Sequence, residues 1–518
     1  MKKIIFITVL ITSYFISNAQ IQAVMPFTKT VTPVFKDSKK TFLAFTCDDN
    51  NGGIFIGREH KDGYFLEHFN NELELINKHD LRMYKHKIST DVVGAFMIEG
   101  NLCLIERFKN FKNKSIDYFA HLSPKDSFKF KKTKLLSIKK KTLTSYNDRN
   151  NDNGYGHFLL SDNEEFFTIV FDIKNKKKEV QRFYTFDKQL NKKYQTEFIK
   201  DIKDNKFDLQ DINIDKDDGS VYLLGKAYFD SKTRKEKDRK YQYELYKINE
   251  NVSRGIVIDV SNKHVASLKL IQNKDLLMCV GFYSNKSEKR FAGTVLYKID
   301  KEKMIESSKK YAPFTSQFLH DKYGKEKQKE LKYLKVKKVF FTPNNEIIIN
   351  AEETNFNINT VAIRALVTTQ LGLIGVLATG GGYHYMDIVS VKLNSNGEVI
   401  WARNVNKNQT TPDINNYYSY ISFYKNNVNY FVFNASKNLT RLDRTRIKFK
   451  TNDLNSNNLY VLGIDDTDTI KYQMIYNRKE AKVNFDIYSA IVSKDNSFVI
   501  FEGMNFRKKR LLKLSIKE

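Results

Sequence analysis

A short polar turn between two apolar stretches recurs through this chain about every sixty residues, and that spacing limits the fold more than any single motif does. The turns fall at Asp37-Ser38, Gly100-Asn101, Asp162-Asn163, Asp218-Gly219, Lys274-Asp275, Asn344-Asn345, Asn426-Asn427 and Asp495-Asn496. Each turn joins a first strand to a second that often passes a Gly. A polar loop, a third strand ending in Lys-hydrophobic-Asp/Asn and a short fourth strand follow. The cleanest unit runs from Leu209 to Asp259 as DINID, SVYLLGKAY, YQYELYKI and VSRGIVID, with the β-branched and aromatic enrichment of strands. The clearest hairpin is Asp387 to Val405, DIVSVKLNSNGEVIWARNV, two strands around an Asn/Gly turn that carry the sole tryptophan, Trp401. Its position predicts an outer strand with Trp401 wedged against a neighbouring unit.

Four strands repeated in tandem predict an all-β fold: a single β-propeller of eight four-stranded blades, with seven the alternative because the first unit is the least regular. The last unit has only three strands, two of them, SFVIFEGM and RLLKLSI, after Asp495-Asn496. The orphan stretch Ile21 to Val31 is expected to supply its outer strand, so that an N-terminal strand closes the ring and removes open sheet edges.

Residues 1–19, MKKIIFITVLITSYFISNA, have the charged start, apolar run and small-residue end of a cleaved signal peptide, and the run is short for a membrane span. The propeller domain is then 20–518, broken by two insertions. Residues 315–338 are Lys- and Glu-rich and read as a short surface helix or disordered loop. Residues 360–382 are the most apolar stretch after the leader and read as a hairpin packed on the ring, a peripheral membrane contact being the other reading. Cys47, Cys103 and Cys279 are too sparse for a disulfide framework or a zinc signature and read as buried small hydrophobes, with one bridge the alternative.

Catalytic motifs fail by definable amounts. Gly219 to Lys226 has five residues between its glycines where a phosphate loop needs four, and Ala227 stands where that loop needs Ser or Thr. HExxH and GxSxG are both missing, and the nine histidines are scattered singly. Asp148-x-Asn150-x-Asp152-Asn153-Gly154 and Asn213-x-Asp215-x-Asp217-Asp218-Gly219 alternate oxygen ligands but place Gly one position late for a calcium loop. Glu352 and Glu353 are adjacent on a strand and point to opposite faces. No catalytic residue, cofactor or metal ligand is assigned.

A formal charge of +27 directs attention to the Lys/Arg clusters: KNFKNK at Lys109, KNKKK at Lys174, KTRKEKDRK at Lys232, KSEKR at Lys286 and RKKR at Arg507. All are expected between second and third strands, on one face of the disc and on the side from which 360–382 projects. Lys109, Lys174, Lys232, Lys286 and Arg507 therefore become the candidate partner-binding residues. Their partner would be an anionic polysaccharide, lipopolysaccharide or an acidic protein rather than a specific nucleic acid sequence. The alternative is a glycan-active enzyme with its site over the propeller channel.

Glu346 to Leu439 resembles a group of uncharacterised secreted propeller-like repeat proteins of Bacteroidota. The resemblance lies in EIIINAEE (Glu346 to Glu353), DIVSVKLNSNGEVIW, Trp401-x5-Lys407-x-Gln409, Tyr418-Ser419-Tyr420 and Asn434 to Leu439. It implies the fold and an export route, with no activity attached. The expected location is the periplasm or the outer membrane, ahead of the extracellular space.

Overall fold

A computed structural model describes residues 20–36, 41–82, 90–144, 155–203, 206–229, 241–250, 253–260, 262–273, 276–285, 290–326, 330–357, 382–411, 416–451 and 457–517. The leader 1–19 and nearly all of the 360–382 insertion lie outside them.

The described chain is all-β apart from two short α-helices and one turn of 3-10 helix, and most of it forms consecutive four-stranded antiparallel meanders. In chain order, sheet 1 spans 42–82, sheet 2 90–139, sheet 3 157–200, sheet 4 207–258, sheet 5 264–313, sheet 6 334–405 and sheet 7 421–476. Sheet 8 is built from Asn484–Phe485, Ile491–Val492, Phe498–Asn505 and Lys508–Ile516, and the N-terminal strand Phe27–Val31 pairs antiparallel with the last of these. The N-terminal stretch divides its pairing, because Ile21–Gln22 runs parallel to Ile470–Tyr476 of sheet 7.

Neighbouring sheets bury their apolar faces on each other. One cluster joins Phe55 and Leu66 of sheet 1 to Leu102 and Leu104 of sheet 2, and equivalent clusters link each later sheet to the next. A further cluster packs Ile54 and Ile56 of sheet 1 against Phe498, Ile500 and Leu511 of sheet 8. A polar tie crosses the same junction: the buried Arg58 guanidinium reaches Glu67 at 2.7 Å and also Glu502 of sheet 8. The second-strand glycines explain part of this packing. The aromatic rings of Phe45 and Phe207 lie where a side chain on Gly57 or Gly225 would stand, so a bulged first strand can close onto the second.

Asp387 to Val405 forms the third and fourth strands of sheet 6, Gly382–Leu393 and Val399–Val405. Asn394 caps the turn by accepting from the amides of Asn396 and Glu398, and Gly397 takes φ +83°. Trp401 lies in the outer strand, 4% exposed, within the core shared with sheet 7. The three cysteines are free and buried.

Two expectations change. The first-to-second turn of sheet 1 is Asp49 to Gly53, closed by Asp49 Oδ1 on the Asn51 and Gly53 amides; Asp37-Ser38 lies outside the described residues. The 315–338 segment is not a surface insertion throughout. Its helix α1 (Ser316–Tyr323), capped by Thr315, buries Phe318 and Asp321, and Leu334–Phe341 is the first strand of sheet 6. The buried Asp321 carboxylate is compensated by Arg403, which is itself fully buried and pairs with it at 2.6 Å.

Candidate functional site: the basic edge

Each strand crosses its sheet once, so four strands per sheet return every second-to-third connection and every sheet-to-sheet link to the same edge. Hydrogen bonds follow that geometry. The Lys140 amide in the link after sheet 2 donates to Lys114 O in that sheet's second-to-third turn, and the Lys174 amide of sheet 3 donates to Thr142 O of the same link. On the other edge, Asn163 of sheet 3 reaches Lys216 O of sheet 4, and Asn273 of sheet 5 reaches Asn345 of sheet 6.

The two edges carry opposite charge. The described second-to-third connections present Lys61, Lys112, Lys114, Lys174, Lys176, Lys177, Lys178, Lys437, Arg444, Arg446 and Arg507 against Asp62 and Asp443. The first-to-second turns present Asp49, Glu99, Asp162, Glu164, Glu165, Asp215, Asp217, Asp218, Glu346 and Asp495 against Lys216 and Lys494.

Of the candidate binding residues, Lys174 and Arg507 sit exposed in such connections, and no carboxylate among the described residues pairs with either. Lys109 is one residue inside the second strand of sheet 2, half-buried, 3.9 Å from Asp91 and 4.5 Å from the Tyr155 ring centroid. It supports the turn, and its neighbours Lys112 and Lys114 form the exposed tip. Lys232 and Lys286 lie outside the described residues. Asp443 is one of the two carboxylates in these connections. Burial would raise its carboxyl, but bonds from the Arg446 side chain and from the Thr445 and Arg446 amides outweigh that and hold it well below the usual carboxylate range.

Sequence reasoning did not find a buried polar network beneath α1. Lys407 Nζ donates to Glu352 Oε1 (2.8 Å), Gln409 Oε1 (2.9 Å) and the Tyr385 carbonyl (3.1 Å), while Ser419 Oγ donates to Glu352 Oε2 (2.6 Å). All three ammonium protons have acceptors. Burial pulls Lys407 below the usual amine range, against the opposing pull of Glu352. Lys322 at the end of α1 bridges Glu353 (2.5 Å) and Asp387 (2.6 Å); burial opposes its charge, and the two carboxylates outweigh burial and raise it. Glu352 and Glu353 thus belong to separate ion pairs, and the register slips where they meet. Gln409 Nε2 donates to Asn434 O, and Asn434 Nδ2 donates to Tyr417 O and Phe485 O. The arrangement fastens sheets 6, 7 and 8 together. The one signal for it was the charge following IIINA and in Lys407-x-Gln409.

Of the two calcium-like patterns, Asp148 to Gly154 lies outside the described residues. In the other, Asp215 Oδ2 takes Lys301 Nζ at 2.8 Å and the Tyr222 hydroxyl at 3.1 Å. Among the described residues no group of three or more His, Cys, Asp or Glu could hold a metal, and no helix is long and apolar enough to cross a membrane.

No protein-family model matches the chain, and no curated protein matches it. Among solved structures it is similar to a protein of unknown function from Bacteroides caccae, with 10% identity over 66% of this chain and 89% of that one, TM-score 0.26. An oligogalacturonate lyase in complex with manganese matches at 8% identity over 83% and 97% of the two chains, TM-score 0.35. Prolyl oligopeptidase B from Galerina marginata matches at 9% identity over 92% of this chain and 56% of that one, TM-score 0.38. TM-scores this low transfer no activity or substrate.

Proposed function

We propose that this chain is an exported, non-enzymatic docking module whose sheets close into an eight-bladed β-propeller and whose basic edge binds an anionic partner. Ring closure is supported by the pairing of Phe27–Val31 with Lys508–Ile516 and by the core that sheets 8 and 1 share. Export to the periplasm or outer membrane rests on the leader 1–19, and kinship with secreted Bacteroidota repeat proteins rests on the Glu346 to Leu439 residues. The observation that carries the docking reading is the set of cations on one edge, including Lys112, Lys174 and Arg507, that have no carboxylate partner among the described residues. Unpaired charge gathered on one face is available to an outside anion, such as an acidic polysaccharide, lipopolysaccharide or an acidic protein surface.

The test replaces Lys109, Lys174, Lys232, Lys286 and Arg507 with Gln and compares retention on anionic resin and on isolated outer membrane. The expected result is elution at clearly lower salt and loss of membrane retention, since exposed charge pairs are screened by salt. Unchanged retention on both would refute docking through this edge.

A further inference from the structure

The basic edge also carries bulky apolar side chains standing in water. Phe506, in the two-residue turn between the middle strands of sheet 8, is 95% exposed; Phe111 in the corresponding turn of sheet 2 is 67% exposed; and Phe229, just past the second strand of sheet 4, is 46% exposed. Exposed cations flank two of them: Arg507 and Lys508 beside Phe506, and Lys112 and Lys114 beside Phe111. Turn geometry does not force this exposure. On the opposite edge, Leu73, Phe128 and Met304 occupy the third-to-fourth turns of sheets 1, 2 and 5, and all three have positive φ, as Phe506 does. They fold inward to 4%, 3% and 3% exposure.

A phenylalanine at a tip among ammonium groups suits an interface that is anionic on its surface and apolar just beneath. A polysaccharide or nucleic acid would use the rings as a stacking path along one groove. Phe111 and Phe506 stand at the tips of the sheet 2 and sheet 8 hairpins, and Phe229 at the end of the second strand of sheet 4; residues on three separate sheets of one edge fit a flat surface touched at separate points. We infer that the basic edge seats on an anionic lipid bilayer, with Phe111, Phe229 and Phe506 entering the boundary between headgroups and acyl chains while the neighbouring cations meet lipid phosphates. This inference rests on the docking reading and names its partner.

The test uses the chain from Gln20, so that the apolar leader cannot itself bind lipid. It measures sedimentation with vesicles of phosphatidylcholine alone or mixed with phosphatidylglycerol. The wild type should bind only the mixed vesicles. F111S/F506S should bind them about tenfold or more weakly while eluting from anionic resin like wild type, and with an unchanged melting temperature because both positions are exposed. K112Q/K174Q/R507Q should lose both, at about fivefold per cation on the vesicles. In F506W, brominated lipid should quench fluorescence that it leaves untouched in the wild type, whose one tryptophan, Trp401, is buried. Wild-type vesicle binding matched by F111S/F506S, with F506W unquenched, overturns bilayer entry and leaves anionic docking standing. Equal loss of resin retention by F111S/F506S overturns it in favour of a polymer. Retention of both activities by K112Q/K174Q/R507Q overturns the docking reading itself.

Discussion

The two edges of this molecule use the same hairpins to opposite ends. On the acidic edge the turns satisfy themselves. Asp49 accepts from two amides and His68, Asp215 takes Lys301, Asp495 takes Ser493 and Ser497, and Phe128 and Met304 plug into the core. On the basic edge Lys112, Lys174 and Arg507 have no such partner among the described residues, and Phe506 stands in solvent. Acidic-edge side chains work inward on stability, whereas under the docking proposal those of the basic edge are left for a partner outside the molecule.

That contrast can be broken at either edge. The largest effect belongs to Phe128→Ala, which removes a buried ring from the acidic edge. It should cost about 3–5 kcal/mol, read as a lower denaturation midpoint with an unchanged denaturant slope.

Acid should come next. Burial would raise the Asp49 carboxyl, but His68 and the Asn51 and Gly53 amides outweigh it and hold the group below the usual aspartate range. The folded pKa is therefore below the unfolded one, so this contribution is complete above the unfolded value and disappears as the pH falls through the folded one. Glu106 behaves alike: burial raises it, and His121 and Lys132 outweigh burial and hold it below the usual glutamate range. Wild type should lose stability steadily below about pH 4.5. Asp49→Asn should show a shallower decline there than wild type, and an identical decline would count against the inward role of this edge.

The smallest change should come from Phe506→Ala on the basic edge, within about 0.5 kcal/mol of wild type. A loss as large as that at Phe128 would mean that Phe506 is structural and would erase the contrast.

Most of the architecture was legible because a hairpin is a local object. Asn394 to Glu398 announces its turn in five consecutive residues, and the period of such turns gave the sheet order. The orphan stretch before the first unit gave the strand that pairs with Lys508–Ile516. The first unit was read one strand early because Asp37-Ser38 imitates a turn, while Asp49 to Gly53 builds its turn with an Asp side chain.

The buried network was not legible. Asp321, Glu352, Asp387, Lys407 and Ser419 lie on five separate stretches and meet only when α1 and sheets 6 and 7 are packed. The side of the molecule that carries the basic clusters could be deduced, since strand parity alone sets it. Whether a turn residue points in or out could not: Phe128 and Phe506 both sit at turn positions with positive φ, and only packing separates them.

The central claim is that the location of the positive charge, and not its total, makes this protein bind. The direct measurement is elution from an anionic resin by a salt gradient for two charge-matched variants. K112Q/K174Q/R507Q removes three cations from the basic edge, and K131Q/K192Q/K193Q removes three exposed cations from fourth strands. The account predicts that the first elutes at markedly lower salt than wild type and the second almost with it. Equal shifts for the two would show that bulk charge alone drives retention and would contradict the account.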